Sequence, residues 1–577
     1  MAIVKKEGKG PMIVEKDVRV AMRDGVELLV DIFRPDGDEK VPALLTISPY
    51  SKDIQTLPLP SGLGKAMEYG SVEAGDPIQI VAGGYAHVHA DPRGIGKSDG
   101  VFYNWYSEQE QVDGYDLVEW LAVQPWCNGN VGMVGVSYFA VIQFLVAAQQ
   151  PPHLKAIFPY DGWGDGYRDT YYHGGILSAF GPRLHAGTMS NESASRAKMT
   201  YSKEELKEII DRLIEDEGTN YKMSPQIVQT LMAKKANEMS LDYLVFREDG
   251  PFYWEQSPRT KNHLIQIPTY LATELHSYTV SMHQPGATTW GWDQITAPKK
   301  MTLLPWQSTL PGGPAERPYD QWHDEIFRWF DYWLKGIDTG IMDEPPVKIW
   351  IRGAEEWMET DEWPLLSKTN WSKLYLHEGG ALSEAAPDSD EPADKLHYDK
   401  ALPVFGPPLS PKPDILSYET EPFQEDFQVI GPIALYLNAS LTSGDGDFLV
   451  NVQDVEPDGT GTVITRGWLK ASHREVDESK SHPWRPYHPH VNPQPVPEGE
   501  VLEYAIEIQP IANVFEAGHR LRLEIWPCDW RDPKGDYDWT LFWGYTHHIP
   551  YGKDVDYEIH HDPHHQSHLL LPVVPIA

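Results

Sequence analysis

A chain of 577 residues exceeds what one hydrophobic core can organise, so two or three domains are expected, and 41% apolar content with 21 tryptophans excludes a disordered protein. Its 85 acidic residues against 48 basic ones give a formal charge of -37. Nucleic acid and anionic membranes need a basic footprint, so both are excluded as partners, and the acidity reads as a solvated surface that keeps the chain soluble.

The segment Met1 to Glu7 lacks a long apolar core, and no later run of about 18 apolar residues follows, so a soluble cytoplasmic protein is expected. From Val14 to Phe33 the pattern alternates around Asp24-Gly25, a hairpin turn that opens a sheet. Pro42 to Ile47 is a buried strand running into Ser48-Pro49-Tyr50-Ser51-Lys52. Tyr85 to Ala90 is the next strand, and Asp91-Pro92-Arg93-Gly94-Ile95-Gly96-Lys97-Ser98-Asp99-Gly100 is the loop after it. Its glycines fit neither a phosphate-binding loop nor a dinucleotide fingerprint, so no cofactor is expected. Gln109 to Leu121 is an amphipathic helix. Val131 to Val134, then Gly135-Val136-Ser137, then the long apolar stretch from Tyr138 to Ala148, read as strand, sharp turn and buried helix with a serine at the apex. Gly135 lets the backbone turn tightly enough to expose the hydroxyl, and the helix aims its positive end at the same place. Phe139 stands where the short motif carries a second glycine.

Leu154 to Pro159 is another sheet strand, and Asp165 to Gly175 is rich in aromatics and glycine. The composition then turns helical. Ser202-Lys203-Glu204-Glu205 is a capping box ahead of Leu206, Ile209, Ile210 and Leu213, and Ser224-Pro225 caps a further helix to about Met239. The sheet resumes at Leu264 to Leu271 and again at Lys299 to Leu304, with a helix from His323 to Gly336. Val347 to Ile351 and Trp371 to Leu376 begin a series of short strands, and Gly379 to about Pro413 reads as a long surface connection. Gly431 to Leu437, Asp447 to Gly459 and Ala517 to Ile525 alternate as strands with tight turns. Asp445, Asp447, Asp454 and Asp458 lie on or beside strands without a ligand loop, so no metal is expected there. Cys127 and Cys528 exclude a disulfide framework and show no metal-ligand spacing. The histidine-rich run from His560 to His568 reads first as a strand edge with exposed imidazoles, with metal binding as the alternative.

Met22-Arg23-Asp24-Gly25-Val26-Glu27-Leu28 with Asp31, the loop Asp91 to Gly100, Trp120 with Gln124-Pro125-Trp126, and Gly135-Val136-Ser137-Tyr138 together resemble the cocaine esterase and X-Pro dipeptidyl-peptidase family of α/β-hydrolases. Later blocks extend the likeness over nearly the whole length. The resemblance implies an α/β fold: an α/β-hydrolase domain over residues 1–170 and 261–345, an inserted helical cap over 171–260, and a C-terminal jelly-roll β-sandwich over 346–577. It also implies Ser137 as nucleophile, the Tyr50 hydroxyl as one oxyanion donor and the backbone N–H of Tyr138 as the other. Arg93 and Asp99 would brace their loop, and Asp165 to Gly175 would line a substrate site shaped by the cap.

At two places the resemblance fails. The family reads Ile-Pro, several residues, then Gly-Trp-x-Asp, the aspartate being the triad acid; this chain has Glu274-Leu275-His276-Ser277, which puts Ser277 at the acid position. The next strand should end in Gly-Pro-Trp-x-His, and Leu304-Pro305-Trp306-Gln307-Ser308 puts Ser308 at the position of the base. Pro268, Pro305 and Trp306 keep the register. Losing the histidine of such a triad costs about 10⁶ in turnover and leaves about 10³ to 10⁴ over water.

Three readings follow. The preferred one is an enzyme acting on a small ester, amide or related carbonyl compound through Ser137, with an atypical or incomplete triad and a base recruited from His276, His173 or His283. A non-hydrolytic enzyme of lyase or isomerase type would use Tyr50, Ser137 and a histidine as proton donors and acceptors. A catalytically inactive relative would bind a small molecule or partner. A homo-oligomer is left open.

Overall fold

The computed structural model describes residues 2–6, 9–53, 69, 73–178, 194–219, 239–275, 286–304, 319–400, 412–529 and 548–576. The chain opens with β1 (Ala2–Lys6), β2 (Lys9–Ala21), β3 (Glu27–Pro35), β4 (Val41–Ile47), β5 (Ala86–Asp91), β6 (Cys127–Val136) and β7 (Leu154–Tyr160). A small hairpin follows, β8 (Tyr172–His173) and β9 (Ile176–Leu177), then β10 (Thr269–Glu274), β11 (Lys299–Leu304), β12 (Val347–Ile351) and β13 (Glu356–Thr360). Among the described residues these make one eleven-stranded sheet in the order β1-β2-β3-β5-β4-β6-β7-β10-β11-β12-β13, with β8 and β9 paired separately.

The hairpin at Asp24-Gly25 forms as the alternation predicts: Met22 N–H donates to Val26 O at 2.8 Å, and Gly25 adopts φ +87°. From β5 through β12 the neighbours run parallel. Parallel strands need cover on both faces, and the burial alternates accordingly. Ala43, Leu45 and Ile47 of β4 join the core beneath the helices Glu108–Ala122 and Tyr138–Ala148, while Leu44 packs with Ile80, Tyr85, Trp329 and Phe330 on the opposite face. The last two come from the helix Tyr319–Phe330, which widens into a π-turn over Asp331–Lys335 and stops at Gly336 in the left-handed conformation. Because the central strands are parallel, their C-terminal ends share one edge. That edge is where ligands bind in sheets of this kind.

The described cap helices are Arg196–Thr200, Lys203–Glu215, Met239–Val245 and Pro251–Gln256. The capping box at Ser202 and Glu205 is formed in both directions. Buried Asp242 accepts from Ser195 Oγ and from the N–H groups of Arg196 and Ala197, fixing the first helix to the third. The helix expected from Ser224-Pro225 lies outside the described residues.

The C-terminal part is a twelve-stranded sheet among the described residues. Strand His568–Val573 pairs with both Asn370–His377 and Phe427–Leu441, so the sheet closes on itself around Leu435, Phe448, Ile506, Leu523 and Leu569.

Four expectations need correction. The strand expected at Leu264 to Leu271 begins only at Thr269 and runs to Glu274, because Asn262–Leu264 forms a 3-10 turn and Leu264 is 40% exposed. Placing 346–577 wholly in the C-terminal sheet is wrong for its first two strands: β12 pairs with β11 and β13 with β12, so both extend the large sheet. The connection from Gly379 to Pro413 contains strands Ala381–Ser383 and Asp394–Tyr398. His561, expected at an exposed edge, is fully buried between Glu391 and Asp394.

Candidate active site

Strand β6 ends at Val136, and the chain reverses at Ser137 with φ 60° and ψ -121°, a strained conformation for a residue with a side chain. Neighbours on three sides hold it there. Val136 N–H donates to Glu73 O at 2.9 Å, Ser137 N–H to Tyr160 O at 3.3 Å, and Ser137 O accepts from Ala140 and Val141. Gly135, at φ +137°, has no room for a side chain: an added Cβ would lie 2.5 Å from Phe139 Cβ. The close approach given to a second glycine in the short motif is supplied from the segment after β7 instead, where Gly162 faces Ala140 so tightly that a Cβ would come within 2.9 Å.

Tyr50 follows β4 on the same edge, and its hydroxyl is hydrogen-bonded to Ser137. The loop is anchored by Lys52. Its N–H donates to Asp91 Oδ1 at 2.7 Å, and its buried ammonium lies 2.5 Å from Asp17, 3.0 Å from Asp31 and 3.1 Å from Asp53. This accounts for Asp31 in the opening motif. The next loop is held by Arg93, which forks between Asp113 at 2.7 Å and Asp24 at 2.8 Å, and by Asp99, whose backbone bonds Glu27 and Gly94.

Tyr138 opens the helix that leaves the turn. The first N–H groups of a helix have no acceptor within it, and Tyr138 is the first residue of Tyr138–Ala148. Its side chain is committed to the core: the hydroxyl meets both oxygens of buried Glu110 at 2.8 and 2.7 Å, and the ring stacks on Tyr106 at 4.1 Å. The ring edge also touches Tyr50 at 5.8 Å.

Two carboxyl groups that the sequence did not single out stand at this edge. Burial, with the nearby Asp161 carboxylate, pushes the Glu73 carboxyl up to about 8. Burial and the Glu73 charge together raise the Tyr50 phenol well above its ordinary value, against a lowering by the Ser137 bond. Asp161 follows β7 at φ 55°, its N–H bonded to Ala272 O of β10 at 2.9 Å. The only local signal near Glu73 is Asp76-Pro77, the start of helix Pro77–Ala82.

His173 is drawn elsewhere. Its Nδ1 lies 2.8 Å from His548 Nε2, whose Nδ1 lies 2.9 Å from Asp529, and its Nε2 lies 3.2 Å from Asp169 O. Burial, and then the charge of His548, hold the imidazole well below its usual value. That does not suit a proton acceptor. Asp165 to Gly175 forms a π-turn over Tyr167–Tyr171 and the β8–β9 hairpin; Tyr171 packs on Tyr243, while Arg168 bonds Asp165, Asp249 and the carbonyl of His488. His276, Ser277, His283 and Ser308 lie outside the described residues. Strands β10 and β11 are parallel neighbours ending at Glu274 and Leu304, three and four residues before the two serines.

A serine on a strained strand-to-helix turn, with a phenol and a helix N-terminus beside it, at the C-terminal edge of a parallel sheet, is the arrangement of a serine hydrolase of the α/β class. Residues 24–308 match the X-Pro dipeptidyl-peptidase (S15 family), and residues 339–532 match the X-Pro dipeptidyl-peptidase C-terminal non-catalytic domain. Cocaine esterase of a Rhodococcus species is 27% identical, over 98% of this chain and 99% of its own. A Mycobacterium bovis protein assigned as a serine esterase is 28% identical, over 88% and 90%. The solved structure of a CocE/NonD family hydrolase from Staphylococcus aureus superposes with a TM-score of 0.76 at 25% identity, covering 98% of this chain and 94% of that one. The chain belongs to the cocaine esterase and X-Pro dipeptidyl-peptidase (CocE/NonD) family of α/β-hydrolases. No helix among its described residues is long and apolar enough to cross a membrane.

Proposed function

We propose that the chain hydrolyses a small ester or amide through Ser137, with Tyr50 and the Tyr138 N–H as oxyanion donors and with Ser277 and Ser308 at the places of the triad acid and base. The observation that carries this reading is the hydrogen bond between Tyr50 and Ser137 at the strained turn. A phenol already in contact with the nucleophile lies within reach of the carbonyl oxygen that the nucleophile attacks, where its hydroxyl can donate. In the first step Ser137 Oγ gives its proton to water and bonds to the carbonyl carbon, and the carbonyl electron pair moves to oxygen, where the two donors meet it. The tetrahedral species then collapses: its bond to the alcohol oxygen or amine nitrogen breaks, the leaving group takes a proton from water, and a second water hydrolyses the acyl-serine ester to free the acid and Ser137.

A serine without a positioned base has little alkoxide character. A fluorophosphonate probe should therefore label Ser137 far more slowly than it labels an intact triad, and Ser137→Ala should abolish both labelling and turnover of aryl esters. Turnover that survives Ser137→Ala would favour proton-transfer chemistry instead, and binding without turnover an inactive relative. Rapid labelling lost with His276→Ala would favour a recruited base.

Glu73 sets the pH range of this site. Its carboxyl ionises at about 8, so it is neutral at pH 7. Above that value it places a negative charge near Tyr50, where the oxyanion forms, and like charges oppose each other. The kcat profile should fall as pH rises through about 8, and Glu73→Gln should remove that limb while keeping activity at pH 7. An unchanged limb in Glu73→Gln assigns the titration to another group.

A further inference from the structure

The last hairpin of the C-terminal sheet carries an arrangement independent of the hydrolase site. Strand Val555–Asp562 turns through Pro563-His564 into the short strand His565–Gln566, with Asp562 paired to His565. Side chains alternate along a strand, so His560 and Asp562 share one face and His565 lies opposite Asp562 on that face. His561, on the other face, is clamped by Glu391 and Asp394 at 3.0 Å each and fixes the strand to its neighbour.

We propose that His560, Asp562 and His565 form a binding site for a divalent transition-metal ion of the zinc, nickel or copper class. One ligand atom from each of the three lies within 4.8 Å of the others. Two imidazoles and one carboxylate are a donor set that these ions accept, with a fourth position left for water. Supporting contacts aim the ligands. Asp562 Oδ1 accepts the N–H groups of His564 and His565 at 2.7 and 3.1 Å, which turns Oδ2 to His565 Nδ1 at 2.9 Å. Ser440 Oγ stands 3.4 Å from His560 Nε2, and Ser567 Oγ donates to His560 O at 2.6 Å. Such outer contacts orient ligand side chains and strengthen binding. All three residues are half-buried, with access from solvent. The strong negative charge of the chain also draws cations to its surface.

The test is cobalt(II) and zinc(II) titration of the full chain, without a histidine tag and after chelator treatment, followed by calorimetry and the cobalt visible spectrum. One equivalent should bind with Kd in the micromolar range or below. His560→Ala with His565→Ala should weaken binding by about 100-fold or more, and Asp562→Asn by about tenfold. His564→Ala, which alters the exposed neighbour and keeps the three ligands, should stay within about threefold and controls for folding of the hairpin. Zinc affinity weaker than about 100 μM in the native chain, or equal affinity in the double variant, overturns the assignment.

Discussion

Ser277→Asp combined with Ser308→His is expected to raise hydrolysis of an activated aryl ester by about 10² to 10⁴ over the native chain, with a parallel rise in fluorophosphonate labelling. The upper bound is set by what a triad base contributes, about 10⁶ in turnover, reduced because the loops that carry the two positions have not been shaped around the new side chains. Placement supports the attempt. Strand β10 lies between β7 and β11, β7 borders β6, and all four run parallel, so the strand ends at Glu274 and Leu304 share the edge that presents Ser137. Each single change should do much less. An imidazole without its carboxylate is held in no particular tautomer or orientation, and a carboxylate without an imidazole has nothing to orient. If the double variant melts at the native temperature, still labels only at Ser137 and gains nothing, then another group already serves as base and the degenerate-triad account falls.

Tyr50→Phe should lower kcat by about 10² to 10³ and leave KM near its native value, because a donor to the developing oxyanion acts in the transition state and hardly at all on the ground-state carbonyl. The removed atom is the one that bonds Ser137, while the ring keeps its edge contact with Tyr138, so the melting temperature should change little. Tyr138→Phe is the informative contrast. It leaves the backbone N–H in place and removes the hydroxyl that bonds buried Glu110. The expected effect is a loss of about 1 to 3 kcal/mol in stability with kcat largely kept. Equal losses of kcat in both variants would assign Tyr50 a packing role.

The parts of this architecture written in local pattern were legible in the chain. Hairpin 22–26, the capping box at Ser202, the turn at Ser137 and the helices around it each depend on residues within a few positions of one another. Sheet membership was not. Val347, Ile349 and Ile351 alternate in a way that suits either sheet, and only their distant partner β11 decides. Burial of His561 similarly depends on Glu391 and Asp394, which approach from a neighbouring segment. At the candidate site, Ser137 and Tyr50 stand out in the chain because a strand-turn-helix pattern and a family motif mark them. Glu73 does not, since a single carboxylate in a loop carries no periodicity and gains its meaning from the strands that close around it. The bonding of His173 could not be read, since its partner His548 lies 375 positions later in the chain.

The guanidinium of Arg168 sits on the hydrolase side with two acids, Asp165 and Asp249, yet one of its arms ends on the main-chain carbonyl of His488. Close by, Gly174 lies so tightly against Trp468 that any Cβ would fall 2.0 Å from its carbonyl oxygen, and Lys470 N–H donates back to Gly174. A fragment ending before the closed β-sheet would strand that arm without an acceptor and open the aromatic underside of the cap to water. The protein is therefore a poor donor of a transplantable catalytic module. Chimeras that exchange the C-terminal sheet among relatives will succeed only where the incoming loop repeats the His488 carbonyl and the flat approach at Trp468, a requirement of backbone shape that sequence identity alone does not measure.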